Sequence, residues 1–248
     1  MVLEITKEFI GEKEFRVLRP SKPMTDAEYE EIKPWIENIG GHWRERVKGF
    51  TFDGDLDTRN KVSKWREDNQ FFPTPKQVAK RVVLSSGITE EKEDKRIRVL
   101  EPSAGHGALL DEIPKNLNIE FCIVEPYNEN VGVLDDKGYD AYEMTFEIFS
   151  RLHKNEKGTF DYVLMNPPFS KSRDVLHTMI AYDFLKPDGV LVAVISENAL
   201  YYENAESKRF REWLKSVDYT IEDVPYGLFK ESGTTVDTVI IKVVKNDK

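Results

Sequence analysis

The arrangement of apolar and polar positions changes character near residue 70. Before that point, Thr25-Asp26-Ala27-Glu28 has the form of a capping box: the Thr25 hydroxyl accepts from a first-turn amide and Glu28 reaches back. This predicts a helix over 25–38, stopped by Gly40-Gly41. Two short strands, 42–47 and 50–52, then flank a turn at Lys48-Gly49, and a second helix is predicted over 56–68. The first twenty-odd residues suggest no element. Beyond Phe71-Phe72-Pro73, short β-rich apolar runs alternate with helical stretches. Strands are predicted at 97–101, 119–125, 140–143, 160–166, 190–196, 219–224 and 236–244, with helices over 76–85, 107–114, 172–185 and 206–216. Lys186-Pro187-Asp188-Gly189 turns the chain into the fifth of these strands. Such alternation is the pattern of a mostly parallel sheet covered by helices, an α/β fold.

Length and composition bound this picture. With 248 residues, of which 40% are hydrophobic, the chain can bury one sizeable core and carry a small appendage. The expected division is a small α+β module over 1–70, too small to be an enzyme alone, and a main domain over 71–248. No apolar run approaches the ~20 residues of a membrane span, and the start lacks the basic and apolar regions of a signal peptide. Membrane and secretion are thus not expected, and the cytoplasm is the expected compartment. The single cysteine, Cys122, and four scattered histidines predict neither an internal disulfide nor a metal centre. The net charge is −9, with 13 Lys and Arg against 15 Asp and Glu in residues 1–70 and 23 against 30 in the rest. Neither part is basic, so any contact with nucleic acid must come from a local patch.

Three segments carry candidate chemistry. Asn166-Pro167-Pro168-Phe169 follows the apolar run Phe160–Met165, and in an open α/β sheet ligands bind outside the carboxyl ends of the strands. The prolines remove two amide donors, Asn166 adds a side-chain carbonyl, and Phe169 offers a flat face, a set suited to an exocyclic amino group on a ring. Equally, Asn-Pro-Pro could simply end a strand with a turn. The second segment, Glu101-Pro102-Ser103-Ala104-Gly105-His106-Gly107, runs from a strand into a glycine-containing turn. It lacks the three-glycine dinucleotide pattern, and its residues fit either a ligand loop or a plain tight turn. Glu125 ends the next strand about twenty residues later, where an acid can take both hydroxyls of a ribose.

Taken in order, these segments resemble the class I S-adenosylmethionine-dependent methyltransferases, in particular the DNA adenine-N6 methyltransferases whose cofactor motifs precede the catalytic one. The resemblance covers about residues 70–245 and implies a Rossmann-like seven-stranded sheet with helices on both faces. It assigns Phe72 and Thr74 to the segment holding the methionine carboxylate, and Glu101, Pro102, Ser103, Ala104, Gly105 and Gly107 to the cofactor loop. Glu125 becomes the ribose acid, with Pro126 beside the adenine, and Asn166, Pro167, Pro168 and Phe169 become the catalytic tetrapeptide. Asn166 also borders the cofactor. Phe229 resembles the later phenylalanine that packs, with Phe169, on an extruded base. Where the family has Asp-Phe after the third strand, this chain has Thr145-Phe146. Phe146 would still cover the cofactor's adenine, whereas a neutral Thr145 in place of a charged acceptor costs about 1 kcal/mol of cofactor affinity.

The resemblance further implies S-adenosylmethionine as cofactor, S-adenosylhomocysteine as product, no metal, DNA as partner, and a cognate restriction nuclease outside this chain. More loosely, the first seventy residues resemble a leader found on some phage- and plasmid-borne enzymes of this kind. Candidate DNA contacts are Arg44, Arg46 and Lys48 in the N-terminal hairpin, Lys171 and Arg173 after the tetrapeptide, Tyr201 and Tyr202, and Lys230. Competing readings are a ribosomal-RNA guanine-N2 methyltransferase, which can share Asn-Pro-Pro-Phe but resembles the Glu101–Gly105 segment less, and a protein glutamine-N5 methyltransferase, which usually has tyrosine at the Phe169 position. A noncatalytic DNA-binding protein that kept the fold is the third.

Overall fold

A computed structural model of the chain describes the backbone of residues 3–10, 13–20, 42–44 and 49–53, helical positions at Tyr29 and Lys33, and residues 73–92, 94–225, 227–229 and 236–246. The chain divides into two compact units, Met1–Trp65 with Leu152–Asn155, and Arg66–Arg151 with Glu156–Lys248.

In the first unit, β1 (Leu3–Ile10), β2 (Lys13–Pro20), β3 (His42–Arg44) and β4 (Gly49–Asp53) form an antiparallel sheet in the order β1-β2-β4-β3. The β3–β4 pairing, Trp43 opposite Phe50, is the predicted ribbon. Trp43 meets the edge of Tyr29 with ring centroids 5.3 Å apart, so this unit has an aromatic contact of its own. The β1–β2 hairpin is new. Leu3 and Ile5, then Phe15 and Val17, recur at the two-residue strand period on either side of Gly11. The second predicted helix, 56–68, and most of 25–38 lie outside the described residues.

The second unit holds a seven-stranded sheet in the order β10-β11-β9-β8-β5-β6-β7. Its strands are β5 (Ile97–Glu101), β6 (Ile119–Val124), β7 (Ala141–Tyr142), β8 (Phe160–Met165), β9 (Leu185–Ser196), β10 (Asp218–Asp223) and β11 (Thr238–Val244). Six run in the same direction, and β11 inserts antiparallel between β9 and β10. The two-residue period decides which face each side chain covers. Val192, Val194, Ile97, Val99 and Ile240 pack with Val78, Ala79, Val82 and Val83 of α1 (Lys76–Ser86). β8 is buried at all six positions, as expected of a central parallel strand covered on both faces.

Four further described helices follow: α2 (Asn128–Asp136), α3 (Phe146–Leu152), α4 (Arg173–Tyr182) and α5 (Ala205–Leu214). Two of them, α2 and α3, were not foreseen. Conversely, the predicted helix 107–114 is a run of turns with a short 3-10 segment, Leu110–Glu112. Gly105 and Gly107 take left-handed φ of 55° and 77°, and Ile113, preceding Pro114, is extended. The Lys186–Gly189 turn proves to be a bulge inside β9, where Phe160 pairs with Leu185 and Tyr162 already with Val190.

Candidate active site

The carboxyl ends of β5, β6, β8 and β9 lie side by side in the sheet, and most of the candidate residues follow them directly. On the β5–β6 side, the loop after Glu101 is laid against the end of β6 by the Ala104 amide, which donates to the Val124 carbonyl at 3.1 Å. Gly107 is required here twice over, by its positive φ and because a Cβ would meet Leu134 at 3.0 Å. Glu125 completes the loop: its carboxylate accepts from the amides of Gly105 at 2.7 Å and Tyr127 at 3.0 Å and from Asn130 Nδ2 at 3.0 Å. Burial raises its pKa, and those three donors oppose the rise.

Glu101, beneath this loop, is fully buried, and its Oε2 has no hydrogen-bond partner among the described residues. Burial drives its pKa well above the usual carboxylate range, and the neighbouring Glu125 and Asp111 add to this. The Ser103 hydroxyl, also buried, is likewise without a partner among the described residues. Orphaned carboxyl and hydroxyl oxygens beside a close-approach glycine turn fit a cofactor that carries an ammonium group and hydroxyls, as the resemblance implies, since a bound ammonium favours the ionised carboxylate. The fit differs in one respect. A carboxylate has about four acceptor positions, and the protein already fills three on Glu125, leaving room for one ribose hydroxyl and not two.

On the β8–β9 side, Asn166 leaves the end of β8 with its amide held in one orientation. Its Nδ2 donates to Thr74 Oγ1 at 2.8 Å, while its Oδ1, buried, has no partner among the described residues. Thr74, expected to face the cofactor's carboxylate, therefore also orients Asn166. Pro167 is buried, and Pro168 and Phe169 are half-buried. Lys171 and Ser172, two non-glycine residues, both adopt left-handed φ near 55°, a strained exit from the tetrapeptide.

Several expectations need correction. Phe229 is only 3% exposed and presents itself edge-on to Phe169, with centroids 6.3 Å apart at 83°. It backs Phe169 from within the core. Phe146 is 2% exposed and packs among Phe149, His177 and Phe184 in the core. The reason is Thr145, whose Oγ1 lies 3.4 Å from the Ile148 amide at the start of α3; the helix it opens turns Phe146 inward. Arg173 lies 3.5 Å from Glu147 and is turned toward that acid. Tyr201, Tyr202 and Lys171 are exposed, Pro102 is buried, and Pro126 is half-buried. The side chains of Phe72, Arg44, Arg46, Lys48 and Lys230 lie outside the described residues.

Sequence reasoning missed a buried polar cluster behind the tetrapeptide. Asp174 Oδ2 accepts from the Ser196 amide at 2.8 Å, tying α4 to the end of β9. One turn on, His177 Nε2 lies 3.0 Å from Glu147. Burial would raise the Glu147 pKa, but His177 outweighs it through a hydrogen bond and its charge and holds the carboxyl near about 2. The available signal was the acid and histidine one helical turn apart, directly after the motif. Among the described residues no group of three His, Cys, Asp or Glu is placed to hold a metal, and no helix is long and apolar enough to cross a membrane.

The strand order, with one antiparallel strand inserted next to the edge, and the ligand-ready strand ends define the α/β fold of class I S-adenosylmethionine-dependent methyltransferases. Residues 92–227, more than half of the chain, match the methyltransferase small domain family, and the chain belongs to that family. Among solved structures, one similar chain is assigned as a class I S-adenosylmethionine-dependent methyltransferase from Listeria monocytogenes, with TM-score 0.56, 15% identity, and coverage of 73% of this chain and 62% of that one. Another is assigned as the modification subunit of a type I restriction enzyme from Vibrio vulnificus YJ016, with TM-score 0.53, 16% identity, and coverage of 75% and 48%. The chain thus spans between about half and three-fifths of the length of these two. No curated protein matches the sequence.

Proposed function

We propose that this chain transfers a methyl group from S-adenosylmethionine to the exocyclic N6 amino group of adenine in DNA. The observation that carries the reading is the Asn166 amide, anchored through Nδ2 to Thr74 and leaving Oδ1 buried and free among the described residues. A buried acceptor with nothing to accept is costly unless a ligand supplies the donor. When bound, S-adenosylmethionine supplies an electrophilic methyl carbon on a positively charged sulfur. The chain's part is to hold the amino group: Asn166 Oδ1 and the Pro167 carbonyl accept its two protons, localising the nitrogen lone pair that the ring otherwise delocalises. As the new N–C bond forms, the methyl–sulfur bond would break to release neutral S-adenosylhomocysteine, and one of those two protons would leave to solvent. The target base leaves the duplex to reach this point, and the half-exposed Phe169 offsets part of the lost stacking. Covalent catalysis by Cys122 does not compete, since burial pushes that thiol up to about 12. The Glu101–Gly105 resemblance and Phe169 favour DNA adenine over guanine-N2 and protein glutamine acceptors. We assign Arg44, Arg46 and Lys48 of the 1–70 module, together with the exposed Tyr201 and Tyr202, to DNA contact.

The test is transfer of labelled methyl from S-adenosylmethionine to DNA, RNA and protein pools, followed by digestion and mass spectrometry. N6-methyladenine from DNA is the expected product. N2-methylguanine, methylated glutamine, or bound cofactor with no transfer at all would overturn the reading.

A further inference from the structure

A cavity of about 260 Å³ opens beside Phe169, walled by Ser172, Asp174, Ser196, Tyr202 and Ser207. Asn166 and the two prolines are not among its lining residues, so whatever fills it is not the atom that receives the methyl group. Two of its walls are aromatic, the half-buried Phe169 and Tyr202, which is 54% exposed. Two are buried polar groups, Asp174 and Ser207, each 1% exposed. The Ser207 amide is satisfied by the Asn204 side chain at 2.7 Å, at the start of α5, but its hydroxyl has no partner among the described residues. A hydroxyl kept buried and unpaired at the wall of a cavity marks a place where a ligand supplies the partner.

The chemistry of that ligand follows from the walls. Among the described lining residues the sole formal charge is the Asp174 carboxylate, which repels phosphate and attracts a hydrogen-bond donor. Burial pushes its pKa up to about 6 against the opposing amides of Ser196 and Val175 and the charge of His177, so it is ionised at neutral pH. Ser207 can donate to a ring nitrogen alongside. Aromatic walls suit a flat ring. An amino group next to a ring nitrogen is the edge shared by adenine and cytosine, whereas uracil and thymine put a carbonyl where the amino group would be.

We propose that the cavity receives the base next to the methylated one, and that Asp174 and Ser207 select adenine or cytosine there over thymine or uracil. This rests on the proposed DNA reading, and makes Asp174 and Ser207 residues that set sequence context.

Binding of free 2′-deoxycytidine and 2′-deoxyuridine to the full chain, followed by ligand-observed NMR, tests the cavity without requiring methyl transfer. Deoxycytidine should bind roughly tenfold more tightly than deoxyuridine, as a matched polar edge allows. Asp174→Asn, which keeps an acceptor for the Ser196 amide, should bring the ratio close to one, and Ser207→Ala should weaken deoxycytidine several-fold. Ser207→Cys serves as a second variant of similar size, and the preference should survive Asn166→Ala. Equal binding of the two nucleosides, no binding of deoxycytidine at millimolar concentration, or a ratio unchanged in Asp174→Asn and in both Ser207 variants would overturn the proposal. A DNA methylation assay on the same samples separates the two ideas. N6-methyladenine with no nucleoside preference sinks the cavity assignment alone; a preference abolished by Asp174→Asn without adenine methylation sinks the acceptor reading.

Discussion

The two halves of the site hold their unpaired atoms in opposite electrical settings. At the ends of β5 and β6 the spare oxygen belongs to Glu101, a buried acid next to a second acid, Glu125. At the end of β8 it belongs to Asn166, a neutral amide whose other end is pinned by Thr74. An anionic pocket is stabilised by a ligand that brings positive charge; a neutral carbonyl is suited to an amino group that must stay uncharged to act as a nucleophile. The backbone differs in the same way. Glycines relieve the turn on the cofactor side, whereas Lys171 and Ser172 carry the left-handed conformation themselves on the acceptor side, at a cost on the order of 1–3 kcal/mol each. The proposed division of labour, cofactor on one side and acceptor on the other, agrees with this difference in charge as well as with position.

Breaking the acceptor half should give the largest effect. Asn166→Ala removes the acceptor of a developing charge and should slow methyl transfer by about a hundredfold or more, with cofactor affinity nearly unchanged in calorimetry. An equal loss in both quantities would erase the comparison. Next comes Glu101→Gln, which removes a charge-assisted bond and should weaken cofactor binding by roughly ten- to a hundredfold. The same variant should melt at a higher temperature than the wild type without ligand, because an uncompensated buried carboxylate is gone. Raising pH should tighten cofactor binding as the elevated Glu101 carboxyl ionises, and that dependence should disappear in Glu101→Gln.

Smaller effects sharpen the boundary between the halves. Thr74→Val frees the Asn166 amide and should lower the transfer rate about fivefold, the worth of one hydrogen bond; a larger drop in cofactor affinity would return Thr74 to the cofactor side. Thr145→Ala should cost about 1 kcal/mol of stability through loss of the α3 cap while leaving cofactor affinity as it was. Glu147 supplies a pH signature. Its folded carboxyl titrates near about 2 against an ordinary 4.5, so its stabilising contribution is complete above 4.5 and is lost as pH falls from there toward 2. Acid unfolding of Glu147→Gln should accordingly show a shallower slope in that window.

The sheet was legible because its strands are short β-rich runs separated by helical patterns, and a two-residue period survives any detail of packing. Helices α2 and α3 escaped because each is brief. In the second case Thr145 was read as a cofactor contact, and its oxygen also caps a helix. The hairpin β1–β2 escaped because its apolar alternation is diluted by Lys and Glu. In the site, position along the chain was readable and direction was not. Phe146 and Phe229 stand where the family pattern puts them, yet both rings point into the core. Asp174 and Ser207 belong to no motif; what they do follows from neighbours that only folding brings together.

A crystal structure of the full chain with S-adenosylhomocysteine and an adenine-containing oligonucleotide tests the central claim most directly. The extruded adenine should lie against Phe169 with N6 within about 3 Å of both Asn166 Oδ1 and the Pro167 carbonyl, and with the cofactor's ammonium toward Glu101. An adenine seated away from Phe169, or Asn166 Oδ1 bonded to the cofactor in place of the base, would contradict it.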